Sequence, residues 1–143
     1  MILSMNKKIL IMGLPGSGKT TLASVLSKKI KSGWFNADLV REHINKDLKW
    51  SMEDRLEQAK RLSKMCDWAS FGGGYVIADF VCPTDETREA FNADIIIYID
   101  RIKEGRFEDT NKIFDPPKNP DLILEEGTVD EWVKKCIDLI YKD

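Results

Sequence analysis

Apolar positions along the chain fall into two rhythms. Residues 9–12 and Ile95–Ile99 are unbroken apolar runs, and residues 75–80 are interrupted only by Asp79. Short runs of this kind, rich in β-branched side chains, predict strands buried on both faces. Elsewhere the spacing lengthens. Leu22, Val25, Leu26 and Ile30 recur at helical intervals after Gly18, and Trp132, Val133, Ile137 and Ile140 do so within residues 129–141, which predicts an amphipathic helix at each place. Residues 34–37 read as a short second strand ending at Asp38. Ser51, followed by Glu53 and Asp54, predicts the N-cap of a long helix reaching about Ser70, stopped by Gly72, Gly73 and Gly74. Residues 84–91 predict a short helix and Leu122–Leu124 a fifth strand.

Strands that alternate with helices imply an α/β fold, here a five-stranded parallel sheet covered by helices on both faces. Residues 101–121 break the alternation. They are charged, contain Pro116, Pro117 and Pro120, and predict a loop long enough to serve as a lid and substrate loop.

Composition narrows this picture. A chain of 143 residues with 43% hydrophobic content supports one core, so a single domain is expected over 1–143, with residues 1–6 outside its ordered part. The 22 basic residues nearly balance the 24 acidic ones, which argues against a nucleic-acid or membrane-surface partner and makes any anion site local. Cys66, Cys82 and Cys136 are far apart and His43 is the single histidine, so neither a disulfide framework nor a zinc site is expected. Reduced thiols in a cytoplasmic protein fit this usage. The N-terminal stretch is too short and polar for a signal peptide, and the apolar runs are too short to span a membrane.

The first strand runs directly into Gly13-Leu14-Pro15-Gly16-Ser17-Gly18-Lys19-Thr20, followed by Thr21 and a predicted helix. Glycines at these intervals let backbone N–H groups converge on phosphate oxygens, and the helix presents its positive end to the same anion. The motif assigns Lys19 to the β- and γ-phosphates of a nucleotide and the Thr20 hydroxyl to Mg2+. Asp38 and Asp79 lie at strand carboxyl ends, which in a parallel sheet face that same crevice. Asp38 reads equally as a catalytic carboxylate or as the cap of the helix that starts there. Asp79 reads either as a metal-linked aspartate or as a buried carboxylate held by phosphate-loop hydroxyls. Arg41, one turn after Asp38, can aim at the same crevice. Arg61, among lysines, reads as part of a solvated face, and His43 as a surface residue. Trp34, Trp68 and Trp132 read as core or half-buried packing. Trp50 stands apart, since no helical period requires an aromatic in its polar surroundings, and it is suited to stacking on a base.

These residues together resemble the adenylylsulfate kinases. Ala37-Asp38-Leu39-Val40-Arg41 is similar to that family's Gly-Asp-Asn-Val-Arg, and the stretch from Asn45 through Asp47, Leu48, Trp50, Ser51, Glu53 and Asp54 to Arg55 is similar to its Asn-x-Asp-Leu-Gly-Phe-Ser-x-Glu-Asp-Arg. Phe80-Val81-Cys82-Pro83 resembles Phe-Ile-Ser-Pro, and residues 114–122 resemble Tyr-Glu-x-Pro-x-Asn-Pro-Glu-Leu. The resemblance implies a P-loop kinase that moves the ATP γ-phosphoryl group, with Mg2+, to the 3′-hydroxyl of adenosine 5′-phosphosulfate (APS). It implies that Lys19 and Asp38 are catalytic, with Asp38 as base or metal-linked carboxylate, and that Arg41 and Arg55 hold the phosphosulfate. Trp50 replaces a phenylalanine that stacks on the adenine. Asn45, Phe80, Val81 and Cys82 join the acceptor pocket, and Phe107 is the candidate for the other half of the adenine sandwich. Arg101 and Arg106 stand where the family carries a longer basic lid. Members often pair, so a homodimer is an allowed assembly.

The departures are specific. The lid is short, Asp79 replaces a small residue, and Gln58 replaces an asparagine. Three alternatives follow: a kinase for another nucleotide or nucleoside acceptor, a nucleotide-binding switch, or a binding protein without turnover. Against the switch, Asp100, Arg101 and Ile102 follow the fourth strand in place of a guanine-reading Asn-Lys-x-Asp. Against lost turnover, Lys19, Thr20 and Asp38 are all present.

Overall fold

The computed structural model describes residues 7–102 and 108–142. Its elements are β1 (Lys7–Met12), α1 (Lys19–Ile30), β2 (Gly33–Asn36), α2 (Ala37–His43), α3 (Met52–Ala69), β3 (Tyr75–Asp79), α4 (Asp85–Phe91), β4 (Ile95–Ile99), α5 (Glu108–Ile113), β5 (Leu122–Leu124) and α6 (Val129–Ile140). The strands form one sheet in the order β2-β3-β1-β4-β5, with every neighbouring pair parallel. Strand β1 lies at the centre, so the loop that follows it emerges between its neighbours' carboxyl ends, where open α/β sheets bind ligands.

Alternation along β1 explains the two layers. Ile9 and Ile11 face a core built with Leu22 and Leu26 of α1 and Trp132, Val133 and Cys136 of α6. Leu10 and Met12 face the opposite core, with Val40 of α2, Ala59 and Leu62 of α3, and Phe91 of α4. Both faces of the central strand are therefore dry, the condition under which an unbroken apolar run is stable. The three cysteines are buried and free of disulfides.

Helix starts follow local side-chain chemistry. Ser51 Oγ accepts from Asp54 N at 3.1 Å, and Thr84 and Thr128 each complete a reciprocal capping box. Four expectations need correction. The cap of α2 is Asn36, whose Oδ1 accepts from Leu39 N at 3.0 Å; Asp38 is already inside the first turn and does not cap it. The second strand accordingly runs Gly33–Asn36, and Ala37 belongs to the helix. Residues 101–121 are not all loop, because α5 forms within them. Trp68 is neither core nor half-buried; it is 64% exposed on α3.

Candidate active site

The phosphate loop takes its shape from close contacts that only glycine permits. Gly13 has φ 152°, and a Cβ there would lie 2.7 Å from the Ile99 carbonyl oxygen and 2.9 Å from Ser17 Oγ. Gly18, at φ 110°, leads into α1, and a Cβ on it would meet the Trp132 ring at 3.2 Å. Any other residue strains both the backbone and these neighbours. Lys19 Nζ donates to the Leu14 carbonyl at 3.0 Å, so the ammonium is held over its own loop.

A cleft of about 430 Å3 opens above the loop. Its walls include Pro15, Gly16, Gly18, Lys19, Thr20 and Thr21 from the loop and α1, and Asp38 and Arg41 from α2. Trp50 and Arg55 join them from the start of α3, Phe80, Val81, Cys82 and Pro83 from the end of β3, and Arg101 from beyond β4. Residues far apart in sequence thus meet at one place. Gly13, Leu14 and Ser17 lie beneath the loop and shape it. Asn45 is not brought to the cleft. It is buried, its amide donates to Gln58 Oε1 at 2.8 Å, and its oxygen accepts from Arg61 at 3.2 Å. Gln58 in turn donates to the Ala37 carbonyl at 3.1 Å, so this chain of bonds fixes α2 to α3. Arg106 and Phe107 lie outside the described residues. Arg61 grips Asp47 with two 2.9 Å bonds and Glu57 with a third, away from the cleft, and His43 is exposed.

On the phosphate side, Asp79 is 2% exposed and receives three side chains. Its Oδ1 accepts from Trp34 Nε1 at 2.7 Å and Asn36 Nδ2 at 3.2 Å. Its Oδ2 accepts from Thr20 Oγ1 at 3.1 Å and Asn36 Nδ2 at 3.1 Å. Burial pushes this carboxyl above the ordinary aspartate range, while those donors and the Lys19 charge pull it back. Thr20 is an exposed residue at the start of α1 and lines the cleft. No group of three or more His, Cys, Asp or Glu side chains suited to a metal occurs among the described residues. A hydroxyl beside a carboxylate fits Mg2+ all the same, since this hard cation takes few protein oxygens and completes its shell with phosphates and water.

On the opposite wall the Arg41 guanidinium lies 3.9 Å from the centre of the Trp50 ring, with Arg55 at 5.4 Å. Arg41 Nε is buried without a hydrogen-bond partner, and its nearest carboxylate, Asp38, is 4.0 Å from NH1. Burial lowers the guanidinium's proton affinity from its usual value, and the neighbouring Arg55 adds to this. A half-buried cation with an unanswered donor is arranged for an anion. Arg55 is held more tightly, donating to the Trp50 carbonyl at 2.9 Å and to Thr110 Oγ1 of α5 at 3.3 Å.

Arg88 is a contributor that sequence reasoning missed. It is buried and donates to the Cys82 carbonyl at 2.9 Å, the Asp115 carbonyl at 2.8 Å and the Asp85 carboxylate at 2.8 Å. Cys82 has φ 49°, so Arg88 braces a strained turn in the cleft wall while tying the Pro-rich loop to it. Its position on a short helix after Pro83 was the available signal. Asn36 was also missed, although an asparagine between a strand and a helix is a cap signature.

A parallel sheet of this order, with a phosphate loop after its central strand and a cleft above it lined by Lys19, Thr20, Arg41 and Arg55, is the architecture of a P-loop kinase. Comparison with known proteins makes the class specific. The sequence model of the adenylylsulphate kinase family matches residues 5–100, and the chain belongs to that family. The adenylyl-sulfate kinase of Clostridium acetobutylicum is 29% identical over an alignment of 157 positions, gaps included, covering 90% of this chain and 78% of that protein. That of Halothermothrix orenii is 27% identical over 158, covering 90% and 85%. The Mycobacterium tuberculosis APS kinase CysC, solved in complex with AMPPNP and APS, superposes with a TM-score of 0.80 at 24% identity, over 95% of this chain and 98% of that one. This last likeness shows the fold.

Proposed function

We propose that this chain is a single-domain kinase that transfers the γ-phosphoryl group of ATP to the 3′-hydroxyl of adenosine 5′-phosphosulfate. The observation that carries the reading is Arg41. Its guanidinium is half-buried against Trp50 with an unpartnered Nε, across the cleft from Lys19 and Thr20, so donor and acceptor anions have separate seats that face one another. Family membership gives the acceptor its identity, and the Mycobacterium tuberculosis relative was solved with ligands of this kind.

In this reading the amides of residues 13–21 and Lys19 hold the ATP phosphates, and Thr20 with Asp79 behind it serves Mg2+, which neutralises charge on the phosphates when bound. Arg41 and Arg55 fix the phosphosulfate, Trp50 covers the base, and Phe80, Val81 and Cys82 form the pocket wall. Asp38, 84% exposed at its side chain, orients the attacking hydroxyl or takes its proton. Most of the acceleration then comes from alignment and fixed charge. Arg101, at the cleft mouth with its guanidinium 5.8 Å from the Trp132 ring centre, closes over the transferring group together with Arg106. Cytoplasmic location and pairing of two chains complete the proposal; among the described residues no helix is long and apolar enough to cross a membrane.

The test is transfer from labelled ATP to a panel of adenosine 5′-phosphosulfate, pyrimidine nucleoside diphosphates and simple nucleosides. Product from the adenylylsulfate alone is expected. Preference for an acceptor without a purine overturns the acceptor assignment, and ATP loss without any acceptor overturns transfer itself.

A further inference from the structure

The buried carboxylate of Asp79 touches the phosphate-loop hydroxyl, yet both of its oxygens are already engaged. Oδ1 receives Trp34 Nε1 at 2.7 Å, the shortest contact of the group, together with the Asn36 amide at 3.2 Å. Oδ2 receives Thr20 Oγ1 at 3.1 Å and the same amide at 3.1 Å. Asn36 Nδ2 also donates to Thr20 Oγ1 at 3.2 Å, which takes one of that oxygen's two lone pairs and leaves the other. A carboxylate surrounded in this way is poorly placed to bind a cation directly, because doing so requires breaking charge-assisted bonds inside a buried site. It is well placed to dictate where the Thr20 proton goes.

We infer that Trp34 and Asn36 are positioning residues for the metal-bearing hydroxyl: they clamp Asp79 so that it accepts the Thr20 proton and stays outside the metal's inner shell. With its proton committed to Asp79 Oδ2, the Thr20 oxygen turns a lone pair to the cleft, where a hard cation can take it. The strands set the geometry. Asn36 pairs with Asp79 across β2 and β3, Trp34 lies on the same strand two residues earlier, and Ile11 pairs with Asp79 from β1, just before the phosphate loop. Asn36 has a second duty at the α2 N-cap, so the start of the helix bearing Asp38 and Arg41 is tied to the same carboxylate.

The inference rests on the phosphate-site reading, and one experiment separates the two. ADP affinity is measured by calorimetry in EDTA and in saturating Mg2+, and the ratio reports how far the metal strengthens nucleotide binding, without turnover. Thr20→Ala is expected to lose most of this ratio. If it keeps the wild-type ratio, the reading of Thr20 is wrong and the inference falls with it. Trp34→Phe, which removes the indole N–H and keeps an aromatic ring, is expected to leave metal-free ADP affinity unchanged and to lower the ratio by about 10-fold, as loss of an outer-sphere partner does. On the Thr20→Ala background the same change has no further effect. A ratio that stays the same or rises in Trp34→Phe, as direct coordination by a released Asp79 oxygen requires, overturns the inference, as does an undiminished effect without Thr20. Asn36→Ser, which keeps a capping oxygen but withdraws the amide donor, provides the same comparison if the Trp34 variant does not fold.

Discussion

At the scale of single residues, Lys19 and Asp38 separate charge stabilisation from stability. Lys19 bonds to the Leu14 carbonyl in a loop whose shape is set by glycines and not by its ammonium. Lys19→Ala is therefore expected to reduce phosphoryl transfer by at least about 100-fold, the scale of losing one fixed donor to developing charge, with little change in melting temperature. Single-turnover assays beside thermal melts check this; transfer at the wild-type rate removes Lys19 from the reaction. Asp38 can now be tested free of a confounding cap. Because Asn36 caps α2, Asp38→Asn is expected to lower turnover while MgATP binding persists, with a stability change no larger than about 0.3–1 kcal/mol from the lost charge in the first turn. A large fall in melting temperature with unchanged turnover makes Asp38 structural.

Elements carry the next prediction, since Arg88 links α4 to two stretches of cleft wall. Arg88→Met leaves the Cys82 and Asp115 carbonyls without their donor and frees the left-handed turn at Cys82. Steady-state kinetics are expected to show a rise in acceptor KM of about 10-fold or more, with ATP KM nearly unchanged, because losing a charged hydrogen bond of about 1.5–3 kcal/mol loosens that wall alone. Equal changes in both constants refute a role confined to the wall. The elements also show what was legible in the chain. Ile9, Ile11 and the run Ile95–Ile99 announce buried strands because both faces are covered, and the phosphate loop is readable because its glycines, Lys19 and Thr20 follow one another within a single short stretch. Asn36 was obscured by the charge of its neighbour Asp38, which drew the cap assignment. Asn45 matched a block of the resemblance while its amide donates to Gln58, a bond from the α2–α3 connection to the middle of α3 that spacing along the chain cannot reveal. Helix α5 was hidden among charges and prolines, and its Thr110 is buried and accepts a bond from Arg55, a tertiary contact.

For the whole molecule, acid stability and thiol reactivity follow from where charge is placed. Asp47 beside Arg61, Asp85 beside Arg88, and Glu131 in the α6 capping box all have carboxyls held below their ordinary range. Lowered folded values mean that their stabilisation is complete above roughly pH 4 and disappears as pH falls through the folded values. Asp79 has the opposite sign: its raised value makes ionisation costly, so its contribution is full below the unfolded aspartate value and lost as pH rises. Melting temperature is expected to fall as pH drops below about 4, and Arg61→Met should flatten that limb by removing the shift on Asp47; an identical limb in the variant contradicts the assignment. Burial pushes the thiols of Cys66, Cys82 and Cys136 up to about 12. The folded protein should therefore resist alkylation at pH 8 and become fully labelled in denaturant, as mass spectrometry can count.

The cleft also divides along the chain. One part of its lining, from Asp38 and Arg41 through Trp50 and Arg55 to Pro83, is encoded by one continuous stretch, whereas the rest comes from the loop after β1 and from Arg101 beyond β4. Inheritance can act on such a stretch as a cassette. A recombination event that exchanges residues 34–83 replaces that lining together with the α2 cap and the whole Trp34, Asn36 and Asp79 clamp behind Thr20, and leaves β1, its loop and α1 untouched. Chimeras built at those two junctions are expected to change acceptor preference while the loop after β1 stays the same, because the clamp on Thr20 travels as a unit.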